Sequence, residues 1–270
     1  MIRSTRSTSA KFAWLASLTP VIAMLVALST PAAAQTVSDS TFLDTDWALT
    51  QFTTPGGGSS TGGQVLAGGN PGAFRNITDA LNNAPTPSTA SIVLSTSIYT
   101  PFTYNPGVSG AISSLNYSED AACTAGCFGA GQSTGPALLQ GGNLYISNSG
   151  AITGPAVTWS TIPLNGLTSA DFALVMVTSS TLYDNTQHPD FSAGGGPIQF
   201  GFLRANGTSV GGGGYTLAAG IDNWQITINA APPPPPPVVL TPVPTLSAWA
   251  LAALAIVITL IGFACTRRAR

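Results

Sequence analysis

Positive charge is nearly absent from the body of this chain. Of its eight basic residues, Arg3, Arg6 and Lys11 stand near one end and Arg267, Arg268 and Arg270 at the other. Only Arg75 and Arg204 lie between, whereas all ten acidic residues do, so the middle carries a net charge of −8. Phosphate is gripped through Lys and Arg, so such a surface repels nucleic acid and anionic lipid. Nucleic acid is therefore excluded as a partner. Histidine is equally scarce, His188 being the only one. A closed zinc site needs four N or S donors, and two nearby cysteines without a second pair or a neighbouring His make a poor start. No G-x-S-x-G elbow is present to raise a nucleophilic serine. A glycosidase needs two facing carboxylates. Glu119 and Asp120 are adjacent, and in a strand they would point to opposite faces. The plain reading is a loop histidine and solvated acids. Helical periodicity and internal repeats of 20–50 residues are missing as well.

Short β-branched and aromatic runs are what remain: Ser91–Ile98, Asn143–Ser147, Val157–Ser160, Phe172–Thr178, Ile198–Leu203 and Gln225–Ile228. Gly, Pro, Asn and Ser clusters separate them, including Pro55–Gly58, Gly68–Gly72, Gly194–Pro197 and Gly211–Gly214. Many short strands with Gly-rich turns predict an all-β fold, an antiparallel β-sandwich of jelly-roll type over residues 35–231. One short helix is expected near Ile77–Asn82.

Both ends read as targeting segments. In residues 1–34, Arg3, Arg6 and Lys11 precede an apolar run from Phe12 to Leu28, and Ala32-Ala33-Ala34 offers a small-residue cleavage site. That is the layout of a signal peptide, with a mature start at Gln35. Export makes the Cys123–Cys127 pair a candidate local disulfide, with free thiols as the alternative. Residues 232–242 open on six consecutive prolines, an extended polyproline II spacer of about 3.1 Å per residue. From Trp249 to Cys265 no charge occurs, and a helix over about 247–265 would span a bilayer core of about 30 Å. The arginines just beyond are expected to stay cytoplasmic.

Val243-Pro244-Thr245-Leu246-Ser247-x-Trp249, an apolar helix and a terminal arginine cluster together resemble the IPTL-CTERM sorting signal of Gram-negative bacteria. This chain departs from that pattern at Val243, in place of Ile, and at Ala248 and Ala250, where Glu or Asp and Gly are common. The resemblance implies that an exosortase, a membrane-embedded sorting enzyme, recognises Pro244, Thr245, Leu246 and Trp249. It further implies cleavage near the motif and transfer of the ectodomain from the inner membrane to another surface molecule. A permanent membrane anchor is the alternative.

Three further motifs punctuate the ectodomain: Phe42-Leu43-Asp44-Thr45-Asp46-Trp47, Gly68-Gly69-Asn70-Pro71-Gly72 and Gly220-Ile221-Asp222-Asn223-Trp224. Their order resembles secreted bacterial jelly-roll domains of the laminin-G, laminin-B and carbohydrate-binding-module type. In such folds the first and last strands often lie side by side. Asp44 or Asp46 would then approach Asp222, and paired carboxylates suit Ca²⁺. The competing reading, which the residues favour, is an Asx-type turn at Asp222-Asn223. Gly-Gly-Asn-Pro-Gly reads as a turn. Trp47, Trp159 and Trp224 are candidates for stacking on sugar rings, although tryptophan in a sandwich is more often core.

The expected function is that of a non-enzymatic cell-surface or extracellular-matrix protein, with adhesion or glycan binding as candidate activities. The expected partners are an exosortase, the membrane and surface polysaccharide. The rival is a secreted hydrolase of surface polysaccharide.

Overall fold

The computed structural model describes residues 34–54, 56–148, 150–176, 182–231 and 247–268. Most of the expected signal peptide, the proline spacer and Pro244, Thr245 and Leu246 lie outside these residues. The chain divides into two units, Met1–Pro233 and Pro234–Arg270.

In the first unit the described strands are β1 (Gln35–Asp39), β2 (Trp47–Thr53), β3 (Gly58–Gly69), β4 (Gly72–Leu81), β5 (Ile92–Tyr99), β6 (Ile112–Ala125) and β7 (Ser133–Gln140). They continue as β8 (Asn143–Ser147), β9 (Ala151–Ile152), β10 (Ser160–Leu167), β11 (Phe172–Val175), β12 (Tyr183–Asp184), β13 (Ile198–Gly207) and β14 (Thr216–Ala230). One turn of α-helix, α1 (Pro106–Ser109), and two 3-10 turns, Asp44–Asp46 and Ser169–Asp171, interrupt them. All pairings are antiparallel. One sheet runs β10-β6-β14-β4-β3 with β1 also on β14, and the other runs β12-β11-β8-β7-β13-β5-β2 with β9 on β7. The result is an antiparallel β-sandwich. Its first and last strands lie together, with Gln35 opposite Ile228 and Asp39 opposite Trp224.

Two expected elements are corrected. Of the residues proposed as a helix near Ile77–Asn82, Ile77 to Leu81 belong to β4, which is hydrogen-bonded to β3 on one side and β14 on the other, and Asn82 follows it. Two ladders outweigh a weak local helical tendency. The run Val157–Ser160 is loop up to Trp159, and β10 starts only at Ser160. The glycine-rich stretch Gly58–Gly69, which lacks a strand signature, is a twelve-residue edge strand. At Gly62 a Cβ would come within 2.7 Å of Ile77 Cδ1 and 2.9 Å of Leu49 Cδ1, so a side chain there would require both of these side chains to shift.

The core between the sheets has an aromatic end and a polar end. At the first, Trp47 meets Trp224 edge-on at 5.0 Å between ring centroids, with Phe42, Tyr99 and Phe202 around them. Such pairs favour edge-to-face or offset geometry and add to the gain from area burial. At the second, Arg204, Glu119, Asp79, Gln132 and Thr134 are all buried. A separate apolar layer of Leu94, Ile98, Ala137, Ile146, Leu182 and Leu203 covers the outer face of the larger sheet.

The second unit is a helix, α2 (Ala248–Arg268). Residues Ala248–Arg267 are long and apolar enough to cross a membrane, with mean hydropathy 2.4 and no buried side. Ser247 caps its start, its side-chain oxygen accepting from Ala250 N at 3.3 Å. The Thr259 hydroxyl donates to the carbonyls of Ala255 and Ile256, and Thr266 donates to those of Gly262 and Phe263. Both hydroxyls are thus satisfied inside the helix, as hydrocarbon surroundings require. Trp249 is 85% exposed at the helix start, where a membrane interface favours an aromatic ring.

Candidate functional site

The candidate calcium ligands Asp44, Asp46 and Asp222 each have separate partners. Asp44 Oδ1 accepts from Arg75 Nη1 at 2.9 Å and from Gln64 N at 3.0 Å, which ties it to β3 and β4. Asp46 is exposed and accepts from the Thr45 hydroxyl. Asp222 is fully buried on another part of the sheet, where it accepts from the backbone N–H groups of Asn70 and Asn223. Among the described residues no group of three or more His, Cys, Asp or Glu side chains is placed to hold a metal. The carboxylate near the opening motif that gathers partners is Asp39. Burial pushes its pKa up, but hydrogen bonds from Thr41, Trp47 and Phe42 outweigh this and hold it below the usual carboxylate range.

The other two motifs meet on the outer face of the smaller sheet. Gly68–Gly72 is the turn between β3 and β4. The Asp222-Asn223 step lies within β14, where the register shifts between Asp222 and Gln225 and Asn223 takes φ +48°. Asp120 Oδ2 accepts from the side-chain amides of Asn70 at 3.1 Å and Asn223 at 2.7 Å, and its Oδ1 accepts from Thr161 at 2.6 Å. The bulge and the turn are thus pinned together. Every oxygen of Asp120 and Asp222 accepts from a donor within the protein, so both carboxylates help to hold the turn against the bulge.

Glu119 contradicts its expected solvation. It is fully buried and pairs with Arg204 Nη1 at 3.1 Å. Its Oε1 accepts from the Thr134 hydroxyl at 2.9 Å, its Oε2 accepts from the Tyr117 hydroxyl, and Arg204 also donates to Thr134. Glu119 and Asp120 face opposite sides of β6, the first toward the core and the second outward. They are not a catalytic pair. Next to this cluster, burial raises Asp79 to a pKa of about 6, with the charge of Arg204 opposing the rise. His188 sits on the surface with Nδ1 2.7 Å from the Phe172 carbonyl. Trp47 and Trp224 are core residues, 4% and 0% exposed. Trp159 is half-buried, its ring edge-on to Phe74 and its Nε1 donating to the Gly68 carbonyl at 2.9 Å.

Cys123 and Cys127 form a disulfide, with Cα atoms 5.6 Å apart. The next ordered aromatic, Phe128, packs edge-on against Tyr215 at 5.0 Å.

The feature with the shape of a binding site is a groove of about 460 Å³ on the outer face of the larger sheet. Alternation along β5, β8 and β13 turns Leu94, Ile146 and Leu203 outward to form its floor, each under 5% exposed. Exposed Ser133, Asn148, Tyr183 and Asn185 stand at its rim. Tyr183 is 45% exposed and offers an aromatic face beside two amides and a hydroxyl. This size and this mix of apolar floor and few polar groups are usual for small-ligand sites. Among the described residues no charged side chain lines it. None of its residues was singled out from the sequence, because they come from separate strands and unite only across the sheet.

Residues 241–270 match the family model described as the IPTL-CTERM motif. No curated protein matches the chain. Among solved structures, the chain is similar to the N-terminal CBM22-1–CBM22-2 tandem domain of Paenibacillus barcinonensis Xyn10C. The identity is 11%, the match covers 77% of this chain and 50% of that one, and the TM-score is 0.35. It is also similar to the CBM22-1 xylan-binding domain of the same protein, at 11% identity, 75% and 99% coverage and a TM-score of 0.33. This chain therefore spans half the length of the tandem domain.

Proposed function

We propose that this is an exported protein whose tail is read and cut by an exosortase-type enzyme, releasing a β-sandwich that binds surface polysaccharide without turning it over. The observation that carries the reading is the tail itself: residues 241–270 match a sorting motif and contain an apolar helix of membrane-spanning length at 248–267. A passive anchor requires only apolar length and flanking charge. Pro244, Thr245, Leu246 and Trp249 are the recognition residues in this reading, and the catalytic groups belong to the enzyme. The chain is held in the inner membrane first and then passes to the cell surface.

For the ectodomain, the groove supports binding. An aromatic face beside amides and hydroxyls suits a sugar, whose ring carbons stack while its hydroxyls exchange hydrogen bonds. The rival hydrolase relied on Glu119 and Asp120, and their burial and opposed directions argue against it. The test replaces Pro244, Thr245 and Leu246 with alanine in a host with an intact exosortase. Insertion should persist, because the span is unchanged, while a longer membrane-bound form accumulates. Equal size and equal membrane fraction for wild type and variant would reduce the tail to an anchor.

A further inference from the structure

Both basic side chains of the ectodomain are spent inside the fold. Arg75 is 2% exposed and paired with Asp44, and Arg204 is 0% exposed and paired with Glu119. Among the described residues no other carboxylate forms an ion pair, although the charge of Arg204 reaches Asp79 and that of Arg75 reaches Asp39. The groove inherits this imbalance at close range. Asp184 adjoins Tyr183 and Asn185 on its rim, and hydrogen bonds from Thr186 and Gln187 hold that carboxylate below its usual range.

We propose that the groove selects uncharged polysaccharide and rejects chains bearing uronate, sulfate or phosphate. This rests on the glycan-binding reading above and adds the ligand class. An acidic polymer is bound by cations that neutralise it, and both ectodomain arginines, Arg75 and Arg204, are buried and paired. Its charges would instead meet an ectodomain of net charge −8, whose repulsion acts over a Debye length of about 8 Å at physiological salt. A neutral chain meets no such opposition, and an uncharged lining costs it nothing in ion desolvation.

The experiment uses the full-length protein in detergent micelles at pH 7.5, titrated with a panel of uncharged and uronate-bearing polysaccharides at 20 and 500 mM NaCl. Uncharged chains should bind with affinities that change less than about twofold with salt, whereas uronate chains should bind at least about tenfold more weakly at 20 mM NaCl. Asn185→Lys should raise affinity for the uronate chains at low salt. Uronate binding at 20 mM as tight as neutral binding would overturn the inference while leaving glycan binding intact. Failure to bind any member of either class at either salt would overturn the glycan-binding reading itself.

Discussion

Replacing Glu119 by glutamine isolates the energetics of the polar half of the core. The substitution preserves shape and one acceptor oxygen but removes the negative charge 3.1 Å from Arg204 Nη1, in a site where both partners are 0% exposed. Breaking a buried pair from one side typically costs about 3–5 kcal/mol, because the surviving ion stays uncompensated. For a domain of this size that corresponds to a fall in Tm of roughly 6–20 °C. Asp79 makes the loss pH-dependent. With its pKa near 6, it is protonated at pH 5 and gives Arg204 no charge compensation, whereas at pH 7.5 it is ionised and opposes part of the loss. Urea unfolding of Glu119→Gln should therefore show the larger penalty at pH 5. Glu119→Leu with Arg204→Met removes both charges, and the double variant should recover most of the stability lost by either single change. A single-variant cost under about 1 kcal/mol, or a double variant as costly as the sum of its singles, would refute the assignment of an energetically coupled buried pair.

Asp79 alone also shapes the pH profile. Its folded pKa is raised, so the folded state holds the proton more tightly and the stability this supplies is lost as pH climbs from about 4 to 6. At most about 3 kcal/mol is involved, and Asp79→Asn should flatten that limb in urea melts. Asp39 has the opposite sign: its depressed pKa makes stability fall as pH drops below the ordinary carboxylate range, and Asp39→Asn should blunt that acid-side loss. Reduction of Cys123–Cys127 should cost only about 2 kcal/mol, since the closed loop is short; Tm with and without reductant checks this, and non-reducing peptide mapping should recover the pair joined. Tyr183→Ala should weaken polysaccharide binding about tenfold with an unchanged Tm, as expected for a ring that is 45% exposed.

Strands whose own residues carry the pattern were legible in advance. Asn143–Ser147 is legible because the short contiguous run Leu144-Tyr145-Ile146 sits between turn residues. The pairing of the first and last strands also matched expectation. Gly58–Gly69 was opaque for a physical reason: its glycines serve close approach between sheets, so the strand carries no side-chain signal of its own. Glu119 and Arg204 stand 85 residues apart, and nothing local marks them as partners. The groove was hidden for the same reason, whereas the tail, a contiguous segment, shows its sorting motif and apolar helix in the sequence itself.

The two arginines have one more consequence. Trypsin-like proteases cut after Lys and Arg, and between Gln35 and Ala231 such sites exist only at Arg75 and Arg204. Each lies within a strand paired on both sides, with its side chain withdrawn from solvent. A protease of that specificity cannot seat either residue while the sandwich is folded, so cleavage must wait for the strands to separate. Outside the cell, the lifetime of this domain against such enzymes is then set by how often it unfolds rather than by how much of it is exposed.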